Sequence, residues 1–121
     1  MTFNLVNVAT INCLIAKVMP ADTSLTQLGT TPASNHIWKI NSIMCSNVTA
    51  VPAAVTLSIY PNTTPTGTPT RIAYQIVVPG NATLIVIDKS TSFYLPESYS
   101  IGVTSSIGAA IEYTLSYEDL S

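Results

Sequence analysis

The sequence predicts an all-β protein, an antiparallel β-sandwich of Ig-like or jelly-roll type with about seven or eight strands and little or no helix. Three observations favour this fold class. Several segments alternate apolar and polar residues, as a strand with one buried face does. Glycine and proline interrupt these segments at intervals of roughly eight to twelve residues. Only residues 21–28 suggest a helical turn, and a short one.

Composition indicates one domain over residues 1–121, since a chain of this length can bury a core without disulfides or metals. Apolar residues make up 47% of the sequence and mean hydropathy is +0.41. No apolar run approaches the length of about eighteen residues that a membrane helix needs, so no membrane partner is expected. Only 8% of residues are charged, which predicts a surface of Thr, Ser and Asn suited to contact with other protein.

The N-terminal segment, residues 1–10, is "MTFNLVNVAT". Its alternation is weak, so we expect an interaction arm or an edge strand rather than part of the core. The segment has no basic stretch, long apolar run or small-residue cleavage site, so no secretion signal is predicted. "NCLIAKVM" at residues 12–19 predicts a strand, and Pro20 and Pro32 bracket the connection that follows.

The middle of the chain contains four predicted strands. Residues 36–47 would place Trp38, Ile40 and Met44 on one face and Ile43 with Cys45 on the other. "AVTLSIYPN" aligns Val55, Leu57 and Ile59. After a proline-rich loop at 61–70, expected to be a contact or an exposed tip, "RIAYQIVVPG" aligns Ile72, Tyr74, Ile76 and Val78. "ATLIVID" at 82–88 is apolar on both faces, as in a central strand or a strand covered by a partner.

The C-terminal segment predicts a hairpin. Ile101 and Val103 alternate with polar residues in the first run, and the second aligns the apolar residues Ile111, Tyr113, Leu115 and Tyr117. The spacer at 105–108 is short and includes the glycine that a tight turn favours. The hairpin would close the sandwich.

Titratable residues do not form a recognisable catalytic, cofactor or metal site. His36 is the only histidine and is expected to be an edge residue. Glu118 and Asp119 are expected to form a solvated C-terminal tip. Cys13 and Cys45 lie in apolar runs without metal-ligand spacing, which favours buried free thiols over a disulfide. The basic residues Lys17, Lys39, Arg71 and Lys89 are dispersed among six acidic ones, so no nucleic-acid partner is expected.

Two further patterns leave alternatives open. Trp38, Tyr60, Tyr94 and Tyr99 fall outside the predicted apolar stripes and could form a sugar-stacking platform, although core and edge positions are commoner for such residues. Three N-x-T triplets, at Asn47, Asn62 and Asn81, are about as many as the Asn, Ser and Thr content produces by chance, so they do not indicate glycosylation.

The order of strands and turns over residues 36–118 resembles small β-sandwich accessory proteins of tailed-bacteriophage virions. The matching positions fall in three elements: Ile40, Ile43, Cys45, Asn47, Thr49 and Val55-Thr56-Leu57; Pro79, Gly80, Thr83 and Val86; and Leu95, Ser98, Ile101, Val103, Thr104, Ser105, Ser106 and Ser116-Tyr117-Glu118. Residues 96–100, "PESYS", stand where those chains have a Gly-Asp turn.

This resemblance implies a non-enzymatic structural role with no cofactor. The expected function is capsid cement or decoration, with phage capsid proteins as partners, a homo-oligomeric state and a location in the virion after assembly in the host cytoplasm. A collar, neck or tail-fibre attachment protein that contacts neck or tail proteins is the first alternative. A glycan-binding adhesion module is the second.

Overall fold

A computed structural model describes residues 4–121 of the chain. It contains two 3-10 helices, Leu5–Asn7 and Lys89–Thr91. The strands are β1 (Ile11–Val18), β2 (Thr26–Gln27), β3 (Ile37–Asn47), β4 (Ala53–Tyr60), β5 (Thr70–Val78), β6 (Thr83–Ile87), β7 (Phe93–Leu95), β8 (Ser100–Ser105) and β9 (Ile111–Leu120).

The strands form two antiparallel sheets arranged as a sandwich, which confirms the predicted fold class. The first sheet has the order β1-β9-β3-β6, with β7 also paired to β3, and the second has the order β2-β8-β4-β5. Residues from both sheets, including Ile43, Leu115, Leu57 and Val103, are fully buried in the core between them. The short strands β2 and β7 bring the number in residues 4–121 to nine, slightly above the prediction.

A β-bulge in β3 corrects the predicted faces of this strand. Ile40 pairs with Tyr117 and Ser42 pairs with Ser116, so Asn41 is an extra residue between them. A bulge of this kind shifts the alternation by one residue. Trp38, Ile40, Ile43 and Cys45 are therefore all buried in the core, whereas Met44 is only partly buried and lies outside this set.

A second bulge corrects the prediction for β5. Val55 pairs with Ile76 and Leu57 with Ala73, so two residues of β5, Tyr74 and Gln75, lie opposite the single residue between them on β4. Gln75 has a φ of 51°, and its backbone N–H donates to Thr56 Oγ1 at 3.0 Å. Tyr74 is exposed as a result, while Ala73 is buried.

Two local predictions are corrected. β6 lies at the edge of the first sheet, paired with β3 alone among the described strands, so it is not a central strand; the alternative of a strand covered by a partner stays a prediction. Residues 21–28 contain the short strand β2 instead of a helical turn, because Thr26 and Gln27 pair with Val103 and Gly102 of β8. Among residues 4–121 the structure contains no helix with the length and apolar content needed to cross a membrane.

The proline-rich loop 61–70 lies against the outer face of the second sheet. Gln27 Nε2 donates to the carbonyl of Thr63 at 3.1 Å. A Cβ at Gly102 would lie 2.9 Å from Pro65 Cβ and 2.7 Å from Tyr60 Cε1, so the absent side chain makes room for this contact. Most of the loop is nevertheless exposed. Its use as a contact remains a prediction.

The turn between β3 and β4 is organised by the buried side chain of Asn47, which is 3% exposed. Its Nδ2 donates to the carbonyls of Val51 at 2.8 Å and Val78 at 3.1 Å. Its Oδ1 accepts from the backbone N–H of Thr49 at 3.0 Å and from Thr49 Oγ1 at 2.8 Å. The amide thus connects the end of β3 in the first sheet to the end of β5 in the second.

Candidate interaction surface

His36 and Asp119 are brought together at one end of the sandwich. His36 Nδ1 lies 2.7 Å from Asp119 Oδ1, and the two side chains are 32% and 21% exposed. The sequence alone does not bring these two residues together, because they are joined by the antiparallel pairing of the start of β3 with the end of β9, which is not a local pattern. Among the described residues, neither side chain of this pair forms a hydrogen bond with a Ser, Thr or Cys side chain that could act as a nucleophile.

The two cysteines occupy opposite environments. Cys45 is buried in β3, as predicted, whereas Cys13 is exposed on β1, so the prediction of burial was wrong for Cys13. Neither forms a disulfide among the described residues. Residues 4–121 contain no group of three or more His, Cys, Asp or Glu residues that could hold a metal ion.

A polar contact is enclosed in the core near Cys45. Tyr113 donates its hydroxyl hydrogen to the carbonyl of Thr104 at 2.9 Å and lies 2.6 Å from Ser105 Oγ. Burial raises the pKa of Tyr113 from 10.0 to about 12. Burial also raises the pKa of the Cys45 thiol from 9.0 to about 12. Both groups are therefore held neutral by the fold.

We expect the protein to lose stability as the pH rises above about 9. The unfolded chain releases the Cys45 and Tyr113 protons at lower pH than the folded chain, so their contribution is present below the ordinary pKa values and is lost towards pH 12. At about 1.4 kcal/mol per pKa unit, Cys45→Ala should reduce the loss between pH 9 and pH 11 by roughly 2 kcal/mol. Urea unfolding at each pH measures this effect.

The matched control is Cys13→Ala, since Cys13 is exposed. This variant should keep the pH dependence of the wild type. If Cys45→Ala and Cys13→Ala gave the same slope of unfolding free energy against pH, the buried thiol would not be the source of the loss.

The aromatic side chains do not form the platform that the sequence left open. Trp38 and Tyr60 are buried, and Trp38 stacks on Tyr117 with ring centroids 4.1 Å apart. Tyr94 and Tyr99 are exposed. Two of the four candidate residues therefore belong to the packing of the sandwich and cannot stack on a sugar.

An exposed apolar surface follows β1, at one free edge of the first sheet. β1 makes eight consecutive pairs with β9, and among the described strands it has no partner on its other side. The pairs place Ile15 with Ser116 on the outer face and Leu14 with Tyr117 on the core face. Ile15 is 71% exposed and Leu14 is 42% exposed, so apolar side chains are accessible on both faces.

We call this feature the β1 edge: the side of Ile11–Val18 that faces away from β9. Its unpaired N–H and C=O groups can form a ladder with another strand. A concave site of about 340 Å³, lined by Lys17, Val18, Met19, Glu112 and Thr114, lies at its end. The sequence contains a signal for the β1 edge, since "CLIAKV" is apolar at both odd and even positions, but that pattern does not tell an edge strand from a central one.

Comparison with known proteins identifies the fold. No protein-family model and no curated protein sequence matches the chain. A chain of the disulfide-linked pili that form Bacillus endospore appendages has a TM-score of 0.56 and 17% identity, over 98% of this chain and 94% of that one. A chain of infectious bursal disease virus, Gx strain, has a TM-score of 0.50 and 11% identity, over 93% of this chain but only 30% of that one. The likeness extends over nearly all of this chain and shows a shared fold.

Proposed function

We propose that the protein is a non-enzymatic structural component of a bacteriophage virion, a capsid cement or decoration protein that binds the outside of the shell as an oligomer. The β1 edge is the observation that carries this proposal. It offers an unpaired backbone ladder and exposed apolar side chains, which are features that bind other protein chains.

The rest of the surface supports an assembly role. Fifteen large apolar or aromatic side chains are exposed in residues 4–121, whereas the whole sequence has only ten charged residues. Large exposed apolar surfaces usually mark interaction sites. The two similar folds come from a pilus and from a virus, and the sequence resemblance is to phage virion proteins. These likenesses favour a protein of repeating assemblies.

Residues 1–10 are proposed as an interaction arm of the single domain. In the described part, residues 4–7 are exposed and 3-10 helix Leu5–Asn7 buries no side chain. Val6 is 88% exposed. The backbone joins the sheet only at Ala9 and Thr10, whose N–H groups donate to the carbonyl of Ser121 at 2.8 and 2.9 Å. The part of the arm nearer the N-terminus, residues 1–3, lies outside the described residues.

The copy number in purified virions tests the proposed function. Quantitative mass spectrometry of particles from the phage that encodes the chain should find it at an abundance comparable to the main shell protein. A ring's worth of copies would instead support a collar, neck or tail attachment protein. If the chain is missing from the particles, the proposal is wrong.

Attachment to the shell should depend little on salt. The ten charged residues are of mixed sign and dispersed along the chain, and an exposed ion pair contributes at most about 1 kcal/mol. Apolar burial and backbone hydrogen bonds must then supply the adhesion, and ionic strength hardly affects them. Particles washed in rising sodium chloride should retain the protein to about 1 M, where the Debye length is roughly 3 Å. Release below physiological salt would show that charges such as Lys17 and Arg71 carry attachment.

A further inference from the structure

The β1 edge lacks most of the features that usually protect an edge strand from pairing. Natural edges are protected by prolines, bulges, charged side chains or shortness. β1 has eight residues, no proline and one charged side chain, Lys17. Its pairing with β9 has no register shift. A strand of this kind is open for the addition of another strand over its whole length.

The other free edges carry such features. β5 contains the bulge at Gln75, which interrupts its edge. β2 has only two residues and β7 only three. β6 has five residues and runs into Asp88, which caps the 3-10 helix Lys89–Thr91. Among the described strands, β1 is therefore the edge at which an antiparallel ladder can form without interruption.

Resting on the assembly role proposed above, we propose that the occupant of the β1 edge is the β1 strand of a second copy, paired antiparallel across a two-fold axis with Ile15 opposite Ile15. The result is a closed dimer in which the first sheet continues from one copy into the other. Isologous contacts of this type are the commonest in soluble oligomers.

Charge and length make β1 complementary to itself. A two-fold axis at Ile15 pairs residues 12–18 of the two strands and sets Ile11 opposite Met19, the residue that follows β1. Lys17 is the only charge in each strand. With the axis at Ile15, the two Lys17 residues stand roughly 14 Å apart at 3.4 Å per residue, beyond the screening length of about 8 Å at physiological salt. No like charges face each other in the ladder.

The faces of the sheet restrict the register. A two-fold axis perpendicular to the sheet keeps the outer face outward, so residues of equal parity must pair. With the axis at Ile15, Ile11 stands opposite Met19 and Cys13 opposite Lys17. With the axis at Leu14, Ile11 would face Lys17.

Exposure favours the axis at Ile15. Ile15, Ile11 and Met19 are 71%, 59% and 45% exposed. This register pairs Ile15 with Ile15 of the second copy and Ile11 with Met19. It also brings Ile11 of the second copy towards the concave site lined by Val18, Met19 and the stem of Lys17. The most exposed apolar side chains of the edge are thus covered together.

Cysteine cross-linking tests both the pairing and the register. Ile15→Cys and Leu14→Cys are each introduced into a Cys13→Ser background, in which the buried Cys45 is the only other cysteine. Both variants are oxidised with diamide, which takes up the two electrons and two protons released when a pair of thiols forms a disulfide. Directly opposed residues have Cα atoms about 4.5–5.5 Å apart, within the range that a disulfide spans. We expect Ile15→Cys to form covalent dimers at least ten times faster than Leu14→Cys. The reverse order overturns the register, and no cross-linking by either overturns the self-pairing.

A charged variant tests the same contact without cysteine chemistry. Ile15→Lys places two like charges directly opposite each other, and should shift the wild-type dimer to monomer in analytical ultracentrifugation. Ile85→Lys is the matched control, since Ile85 is 59% exposed on β6. It should remain dimeric, and thermal unfolding of both variants confirms that they are folded. A monomeric wild type, or an Ile15→Lys variant that stays dimeric, contradicts the pairing.

The tests of the β1 pairing and of the proposed virion role can fail independently of each other. A wild-type protein that is monomeric in solution yet abundant on virions would overturn the β1 pairing and leave the virion role intact. A protein that dimerises through Ile15 but is missing from virions would overturn the virion role and support the pairing.

Discussion

Asn47→Ala should destabilise the protein by about 3 kcal/mol, a large effect for one polar side chain. The substitution removes two donors and one acceptor from a site that is 3% exposed. The carbonyls of Val51 and Val78 and the N–H of Thr49 would lose their side-chain partner. A buried polar group without a partner costs about 1–3 kcal/mol. Urea unfolding should show a lower midpoint with an unchanged slope.

Asn62→Ala is the matched control for this substitution. Asn62 also begins an N-x-T triplet, but it is exposed, and its Nδ2 donates only to the carbonyl of Thr66 at 2.8 Å. We expect a change of at most about 0.5 kcal/mol. Equal effects of the two substitutions would mean that the Asn47 hydrogen bonds do not hold the β3–β4 turn. The comparison also separates a structural asparagine from a surface one in identical local sequence patterns.

Strands with regular alternation could be predicted from the sequence. Val55 and Leu57 of β4, and Ile101 and Val103 of β8, are fully buried as expected. The predicted C-terminal hairpin is wrong, because β8 pairs with β2 and β4 in the second sheet while β9 pairs with β1 and β3 in the first, so the short spacer between them crosses from one sheet to the other. Ser58 and Tyr60 of β4 alternate with the apolar residues Leu57 and Ile59, yet they are buried too. Loop 61–70 lies on that face of the second sheet, which alternation within a strand does not indicate.

Strand order could not be predicted, because it depends on pairing between distant segments. β1 pairs with β9, some hundred residues later in the chain, and β3 pairs with β9, β6 and β7. Apolar residues on both faces occur in β1 and in β6, and both are edge strands. The same composition is typical of a central strand. The β1 edge therefore emerges only from the three-dimensional arrangement.

Bulges account for the errors in side-chain direction. Period-two alternation assigns each residue a face by counting, and one extra residue reverses every assignment beyond it. Asn41 has this effect on Met44 in β3, and the two-residue segment Tyr74-Gln75 has it in β5. Neither bulge contains glycine, the residue that would mark such a position most clearly.

Single-residue deletions in β3 should therefore have opposite outcomes. Deleting Asn41 leaves Trp38, Ile40, Ile43 and Cys45 in strict alternation, so their pairing with β9 can continue without a register shift. We expect this variant to fold with a loss of less than about 2 kcal/mol. Deleting Met44 moves Cys45 out of the core and Ser46 into it. It also turns the Asn47 side chain away from the carbonyls that it holds.

The Met44 deletion should abolish cooperative unfolding. It exchanges buried and outward side chains over the last residues of β3, and the combined loss of packing and of the Asn47 hydrogen bonds approaches the 5–15 kcal/mol that stabilises an ordinary domain. Circular dichroism during thermal unfolding compares the two variants, which differ only in where one residue is removed from the same strand. Loss of folding in both would mean that the bulge at Asn41 is itself required, through the twist that it gives to β3. Retention of folding in both would mean that the core faces of β3 are not fixed by its pairing with β9.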